Sequence, residues 1–325
     1  MTDGLYILTS NGVYDQFVAL LNSIDANYSP DIPICLIPYN DEIDLIIKAV
    51  AKRKNIFLFD NYNSIKKWER FFRDLSELYN SYPYAGLTSK KVISLNTYRK
   101  FCAFDGPFDR FIYIDCDTLV FQPLAHIFQK LEEYDCVSLD FQRKTSILKN
   151  EVSRFFEIFQ NQYESESELA KQFHCSGFWA HKKGAIQNDD QEYFHQELAK
   201  GEIKIFGSPF FDETSVLNYM NLKKGLKLYN FTTDEVSEYN TGSCITSLHF
   251  EEKDHILYDR GQKLTYLHYM GIKNDRFRHL SRWRSMKLPE NETLFYLADK
   301  FLKWQLRGIP YKDIFLYYRF LNPRD

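Results

Sequence analysis

Apolar positions in the first 120 residues alternate between two periods. Leu5-Tyr6-Ile7-Leu8 is a short continuous apolar run, and behind it Phe17, Leu20, Leu21 and Ile24 recur at helical spacing. Residues 32–40 (IPICLIPYN) predict a second strand, and residues 41–53 (DEIDLIIKAVAKR) a helix that opens after an Asp cap. A third strand is predicted over 56–61 (IFLFDN), then a longer helix around 64–80, the segment SLNTYRKFCAFDG (94–106) and the run FIYIDCDTLV (111–120). Strand, helix, strand, helix, strand is the pattern of an α/β parallel sheet with helices on its faces.

Beyond residue 130 the pattern loosens. YDCVSLDF (134–141), FHCSGFWAHKK (173–183), LKLYNF (226–231) and LTYLHYMG (264–271) read as strands, and SPFFDETSVLNYM (208–220) as a capped helix. Residues 142–172 are polar and rich in Glu, which predicts a helical insertion or a mobile segment. No Pro/Gly/Ser linker and no repeat divides the chain. The expectation is one continuous catalytic domain over 1–275, with a helical extension over 276–325.

With 44% of 325 residues hydrophobic, the chain can bury a large core. No apolar run approaches the roughly 18 residues of a membrane-spanning helix, and the N-terminus lacks a signal-peptide pattern. These features predict a cytoplasmic protein. Its six cysteines include no C-x-x-C pair and read as free thiols in a reducing compartment. The net charge of -3 conceals an asymmetry: residues 276–325 carry eleven Lys/Arg against five Asp/Glu, a net of +6, so the remainder carries -9.

Asp115 and Asp117 break the apolar run FIYIDCDTLV, at what the pattern makes the carboxyl end of a strand, where α/β sheets gather their ligands. Turn chemistry accounts for either acid alone. Two carboxylates one residue apart repel, and a hard divalent ion such as Mg²⁺ or Mn²⁺ removes the conflict.

The segment TYRKFCAFDGPFDRFIYIDCDTLVFQPL (97–124) resembles the core of the family 8 glycosyltransferases, the GT-A-fold group that includes glycogenin and bacterial lipopolysaccharide hexosyltransferases. Its counterparts here are Arg99 on a helix, then the Asp115-x-Asp117 strand end and Pro123. HCSGFWAHKKG (174–184) resembles the family's Asn-x-Gly strand, with Cys175 where Asn is usual and Ser176-Gly177 for Ala-Gly. FFDETSVLN (210–218) resembles its Asp-Gln-x-x-x-Asn element, with Glu213 for Gln. LHYMGIK (267–273) matches its H-x-x-G-x-x-K motif at His268, Gly271 and Lys273, although Asn274-Asp275 replace the usual Pro-Trp.

The resemblance spans roughly residues 4–275 and implies a GT-A fold: a single Rossmann-like, mixed, mostly parallel sheet flanked by helices. It implies that Asp115, Asp117 and His268 ligate Mn²⁺ or Mg²⁺, imidazole favouring Mn²⁺. Lys273 would neutralise the departing nucleoside diphosphate, and Arg99 would reach the donor. Thr9, Asn11 and Tyr14 would hold the nucleoside, with Tyr14 stacked on the base. Cys116, Gly177 and Gly271 would line the nucleotide-sugar site. Asp212 and Glu213 would stand beside the reacting carbon of a retaining transfer, where a carboxylate stabilises an oxocarbenium-like state.

The implied activity is metal-dependent transfer of a hexose from a nucleotide-sugar, a UDP-hexose, to a glycan, lipid or protein acceptor. Two alternatives stay open: a nucleotidyltransferase, although SNGVYDQ after the first strand has a single Gly, and a non-catalytic nucleotide-sugar-binding protein. In the extension, RFRHLSRWRSMK (276–287) sets Phe277, Leu280 and Trp283 among four arginines and a lysine. That composition suits peripheral contact with anionic lipid at the inner membrane face, or equally a core-packing helix with a solvated basic face. The acidic body and the lack of an RNA-binding module argue against nucleic acid.

Overall fold

The computed structural model describes residues 1–81, 94–140, 149–187, 189–206, 212–272, 277 and 300–321. In chain order the first half contains β1 (Asp3–Thr9), α1 (Tyr14–Asn27), β2 (Ile34–Pro38), α2 (Asp44–Val50), β3 (Ile56–Leu58), α3 (Tyr62–Ser81), β4 (Arg110–Ile114) and β5 (Thr118–Val120). A 3₁₀ segment, Leu95–Asp105, precedes β4. Then come α4 (Ala125–Lys130), β6 (Cys136–Ser138), α5 (Lys149–Phe159), α6 (Glu166–Ala170), β7 (Phe178–Lys182), α7 (Asp190–Ala199), α8 (Glu213–Lys223) and β8 (Leu228–Asn230). A small hairpin sheet, β9 (Glu251–Lys253), β10 (Ile256–Asp259) and β11 (Gln262–Lys263), leads to β12 (Tyr266–His268), and α9 (Lys312–Phe320) closes the described chain.

The central sheet has seven strands in the order β3-β2-β1-β4-β7-β6-β8. All neighbours are parallel except β7, which runs against both β4 and β6. The expected mixed, mostly parallel sheet with flanking helices is therefore what the chain forms. Strand periodicity sorts the core. Tyr6, Phe111 and Tyr113 point to one face, against Trp68, Phe72, Phe101, Phe104 and Trp179. Leu5, Ile7, Ile112 and Ile114 point to the other, against Phe17, Leu20, Leu21 and Ile24 of α1.

The run 111–120 falls in two strands. β4 ends at Ile114, the chain turns through Asp115–Asp117, and β5 leaves the central sheet to pair antiparallel with β12. Residues 142–172 contain helices α5 and α6 where they are described. The segment 94–106 is 3₁₀ throughout its ordered length, and that difference matters at the site below.

The described part of the C-terminal extension packs as core. Phe277, Leu302, Leu306, Ile314 and Phe315 join Leu119, Phe121 and Leu267 in a third apolar cluster. Arg319 of α9 is buried and donates to Asp15 of α1 at 2.8 Å, and Asn22 of α1 donates to the carbonyls of Tyr318 and Leu321. Helix α9 thus packs into the core. Both readings of RFRHLSRWRSMK, like the boundary at 275/276, fall on residues outside those described, apart from Phe277. Among the described residues no helix is long and apolar enough to cross a membrane.

Two histidines, His174 buried and His126 half-buried, give the fold an acid limit. Burial holds both His126, its ring stacked on Tyr239 at 3.7 Å, and His174 at a pKa of about 4. Between about 4 and the ordinary value near 6.5 the unfolded chain binds protons that the folded chain refuses, so stability falls as pH falls through that window. Thermal unfolding followed by circular dichroism should show melting temperature declining from pH 6.5 to 4. The slope should be shallower in His126→Phe, which keeps the ring stack; an identical slope would remove His126 from this account.

Candidate metal and donor site

The site forms at the carboxyl edge of β4, where the chain breaks from one sheet to the next. Asp115 is pinned through its backbone N–H, which donates to the Gly177 carbonyl at 2.8 Å at the mouth of β7. Asp117 lies just before β5, and the β5–β12 register sets His268 opposite Thr118. The Tyr269 N–H donates to the Asp117 carbonyl at 2.8 Å, which locks that register beside the acids. Residues some 150 positions apart are thus brought together by two short strands.

One ligand atom each from Asp115, Asp117 and His268 lies within 4.8 Å of the others. His268 Nε2 is 3.3 Å from Asp117 Oδ1 and 3.9 Å from Asp115 Oδ2. Two carboxylates and an imidazole at that separation suit a divalent ion of the Mn²⁺ or Mg²⁺ type. Gly177 shows how closely the imidazole is seated, since a Cβ there would come within 2.3 Å of His268 Cε1.

The site's own charges polarise these groups. Burial pushes Asp115 above the usual carboxylate range; Lys100 opposes that and the neighbouring Asp117 reinforces it. Burial also opposes the Asp117 charge, but the imidazole of His268 outweighs it and holds Asp117 low. For His268 burial pulls down, and the Asp117 carboxylate overcomes it to hold the ring well above its ordinary value.

Other predicted residues are distributed unevenly. Arg99 points away from the acids: its guanidinium pairs with Glu69 at 2.7 Å and donates to the Pro38 carbonyl at 3.0 Å. Its neighbour Lys100 enters the site instead, with Nζ 3.3 Å from Asp115 Oδ1, 3.5 Å from Glu213 Oε1 and 3.3 Å from the Ser176 carbonyl. In a 3₁₀ turn adjacent residues point about a third of a turn apart, so a one-residue offset exchanges outside for inside. Asp105 fixes this orientation by accepting from Lys67 and Trp68 of α3, both at 2.8 Å. The cation in contact with Asp115 and Glu213 is therefore Lys100, while Arg99 lies at the carboxyl end of β2 against the Pro38 carbonyl.

Tyr113 also escaped the sequence reading; its hydroxyl donates to Asp115 Oδ1 at 2.5 Å. Nothing in the pattern separates it from a core aromatic. Cys116 turns its thiol onto the Leu8 carbonyl at 3.1 Å, leaving only its backbone at the turn. Asn11 is committed to the start of α2, donating to Asp44 at 2.6 Å and accepting from the Leu45 N–H at 2.9 Å. The Tyr14 ring lies 5.5 Å beneath the Arg319 guanidinium. Thr9 is fully buried, its hydroxyl without a hydrogen-bond partner among the described residues.

Asp212 and Glu213 divide their tasks. Asp212 caps α8, accepting from the Ser215 N–H at 2.7 Å, and burial raises its pKa. Glu213, one residue on, faces Lys100. Gly271 adopts φ +81 in the turn after β12, a conformation that favours glycine, and Lys273 lies outside the described residues.

No family model and no curated protein matches this sequence. Among solved structures the chain is similar to the galactosyltransferase LgtC in complex with donor and acceptor sugar analogs. The two share 14% identity over 89% of this chain and 98% of that one, with a TM-score of 0.50. An active-site mutant of LgtC matches equally, at 13% identity over the same shares and a TM-score of 0.50. This chain has the GT-A fold. Mouse xyloside xylosyltransferase 1 in its apo form is a further neighbour, at 11% identity, covering 70% of this chain and 85% of that one, with a TM-score of 0.48.

Proposed function

We propose that the protein is a metal-dependent glycosyltransferase that moves a hexose from a nucleotide-sugar, a UDP-hexose, to a hydroxyl acceptor with retention. The observation that carries this reading is the convergence of Asp115, Asp117 and His268 at the carboxyl edge of a GT-A sheet, with Lys100 and Glu213 beside them. Asp115, Asp117 and His268 would hold Mn²⁺ or Mg²⁺. That ion supplies charge stabilisation for the departing diphosphate.

The chain's own groups do the rest. Tyr113 and Lys100 orient Asp115, so its second oxygen stays turned toward Asp117 and His268. Asp212 spends its carboxylate on the start of α8, so Glu213 is the carboxylate available to a developing positive charge at the sugar carbon. The Ser176 carbonyl and the Thr214 hydroxyl, which lies 3.0 Å from Ser176 Oγ, close the same wall.

A thermal-shift panel of nucleotide-sugars with and without Mn²⁺ tests this directly, because stabilisation follows ligand affinity. UDP-glucose or UDP-galactose should raise the melting temperature only with Mn²⁺ present, and the stabilising donor should be hydrolysed slowly to UDP. Binding without hydrolysis or transfer would favour a non-catalytic binder. Synthesis of a nucleotide-sugar from NTP and sugar-1-phosphate would make it a nucleotidyltransferase instead.

A further inference from the structure

Lys100 carries the strongest chemistry that the sequence leaves unassigned. Its residue exposure is 1%, and an ammonium buried that deeply is costly unless its charge is matched. It is matched from three directions: the β4–β5 turn through Asp115, the start of α8 through Glu213, and the approach to β7 through the Ser176 carbonyl. The Tyr113 ring, 5.1 Å away, supplies an aromatic face.

Asp212 is not part of this network, because its carboxylate accepts from the Ser215 N–H at the start of α8.

We propose that Lys100 is a positioning residue that ties Glu213 to the metal-binding edge by sharing Asp115 with the ion. The catalytic part of this inference rests on the glycosyltransferase reading; the tether itself does not. Lys100 then has two opposed effects. It weakens Mn²⁺ binding by competing for Asp115, and it holds Glu213 in register with the acids. A lysine that merely stabilised the fold would do neither.

Mn²⁺ binding to the full chain, read from the electron paramagnetic resonance of the free ion without any sugar donor, separates these cases. Lys100→Met should bind Mn²⁺ more tightly, by roughly tenfold, since a neighbouring cation is removed from a low-dielectric site. Glu213→Gln should bind it more weakly by roughly tenfold, because the freed ammonium turns wholly to Asp115. The double variant should depart from the sum of the two, as residues in one network do. Lys100→Arg should stay near the wild type.

Unchanged or weaker Mn²⁺ binding in Lys100→Met, or strict additivity in the cycle, overturns the inference. If Lys100→Met does not fold, Glu213→Gln alone decides: an unchanged Mn²⁺ affinity rejects the tether. A wild type that binds no Mn²⁺ rejects it together with the metal reading. A chain that shows the coupling yet transfers no hexose would reject only the proposed activity, and one that transfers hexose with an additive cycle would reject only the tether.

Discussion

Asp117→Ala should lose the Mn²⁺-dependent rise in melting temperature expected of the wild type. Asp117 is one of the two carboxylates in the candidate metal triad, and its Oδ1 is also the close partner of His268 Nε2 at 3.3 Å. Truncation therefore removes one proposed ligand and unseats a second. At an ion concentration one hundred times the dissociation constant, binding stabilises a fold by about 2.7 kcal/mol. For a chain of this size that is a shift of several degrees, and nearly all of it should vanish. Donor hydrolysis should fall at least about a hundredfold, as expected when a charge-stabilising group is removed. Differential scanning fluorimetry over a Mn²⁺ titration reads the first effect without any assumption about the acceptor. Equal responses in variant and wild type would sink the metal assignment.

The acid pair was legible in the sequence because it interrupts an apolar strand, an anomaly that composition alone does not produce. His268 was legible only through the order of motifs, since the β5–β12 pairing that sets it beside Asp117 leaves no periodic trace in two three-residue strands. The parallel half of the sheet was readable because each strand is a continuous apolar run separated by a helix. The hairpin β9–β11 was not, because its strands are short and its EEK edge is fully solvated.

The offset between Arg99 and Lys100 has a local cause. Residues 98 and 100–104 are all buried, so the segment shows no polar stripe from which a phase could be read. An arginine in an aromatic helix looks like the functional cation, yet the 3₁₀ rotation puts it against Glu69. The interior lysine has no place in the sequence reading, since lysines seldom go inside. That rarity, weighed against an available pair of carboxylates, was the signal that could have found it.

Gly177→Ala should cost the site its imidazole with little loss of fold. A Cβ at Gly177 would lie 2.3 Å from His268 Cε1 and 2.9 Å from Nδ1, closer than real contacts allow, and 3.0 Å from Nε2. Neither backbone can yield easily. Gly177 accepts from the Asp115 N–H, while the His268 N–H donates to the Ser243 carbonyl at 2.7 Å and its carbonyl accepts from the Ile245 N–H. The ring itself must rotate, which carries Nε2 away from both acids. Overpacking of this kind costs about 1–3 kcal/mol of stability. Displacing a ligand through its support should weaken Mn²⁺ binding by about 10- to 100-fold. Gly184→Ala provides the control: it sits past the far end of β7 at φ +79 with nothing near its Cβ, so it should lose about 1 kcal/mol to backbone strain and bind Mn²⁺ normally. Urea unfolding and Mn²⁺ titration of the two variants side by side separate a general loss of stability from a specific loss of His268. Mn²⁺ affinities that match in both would show that the imidazole does not need the space that glycine leaves.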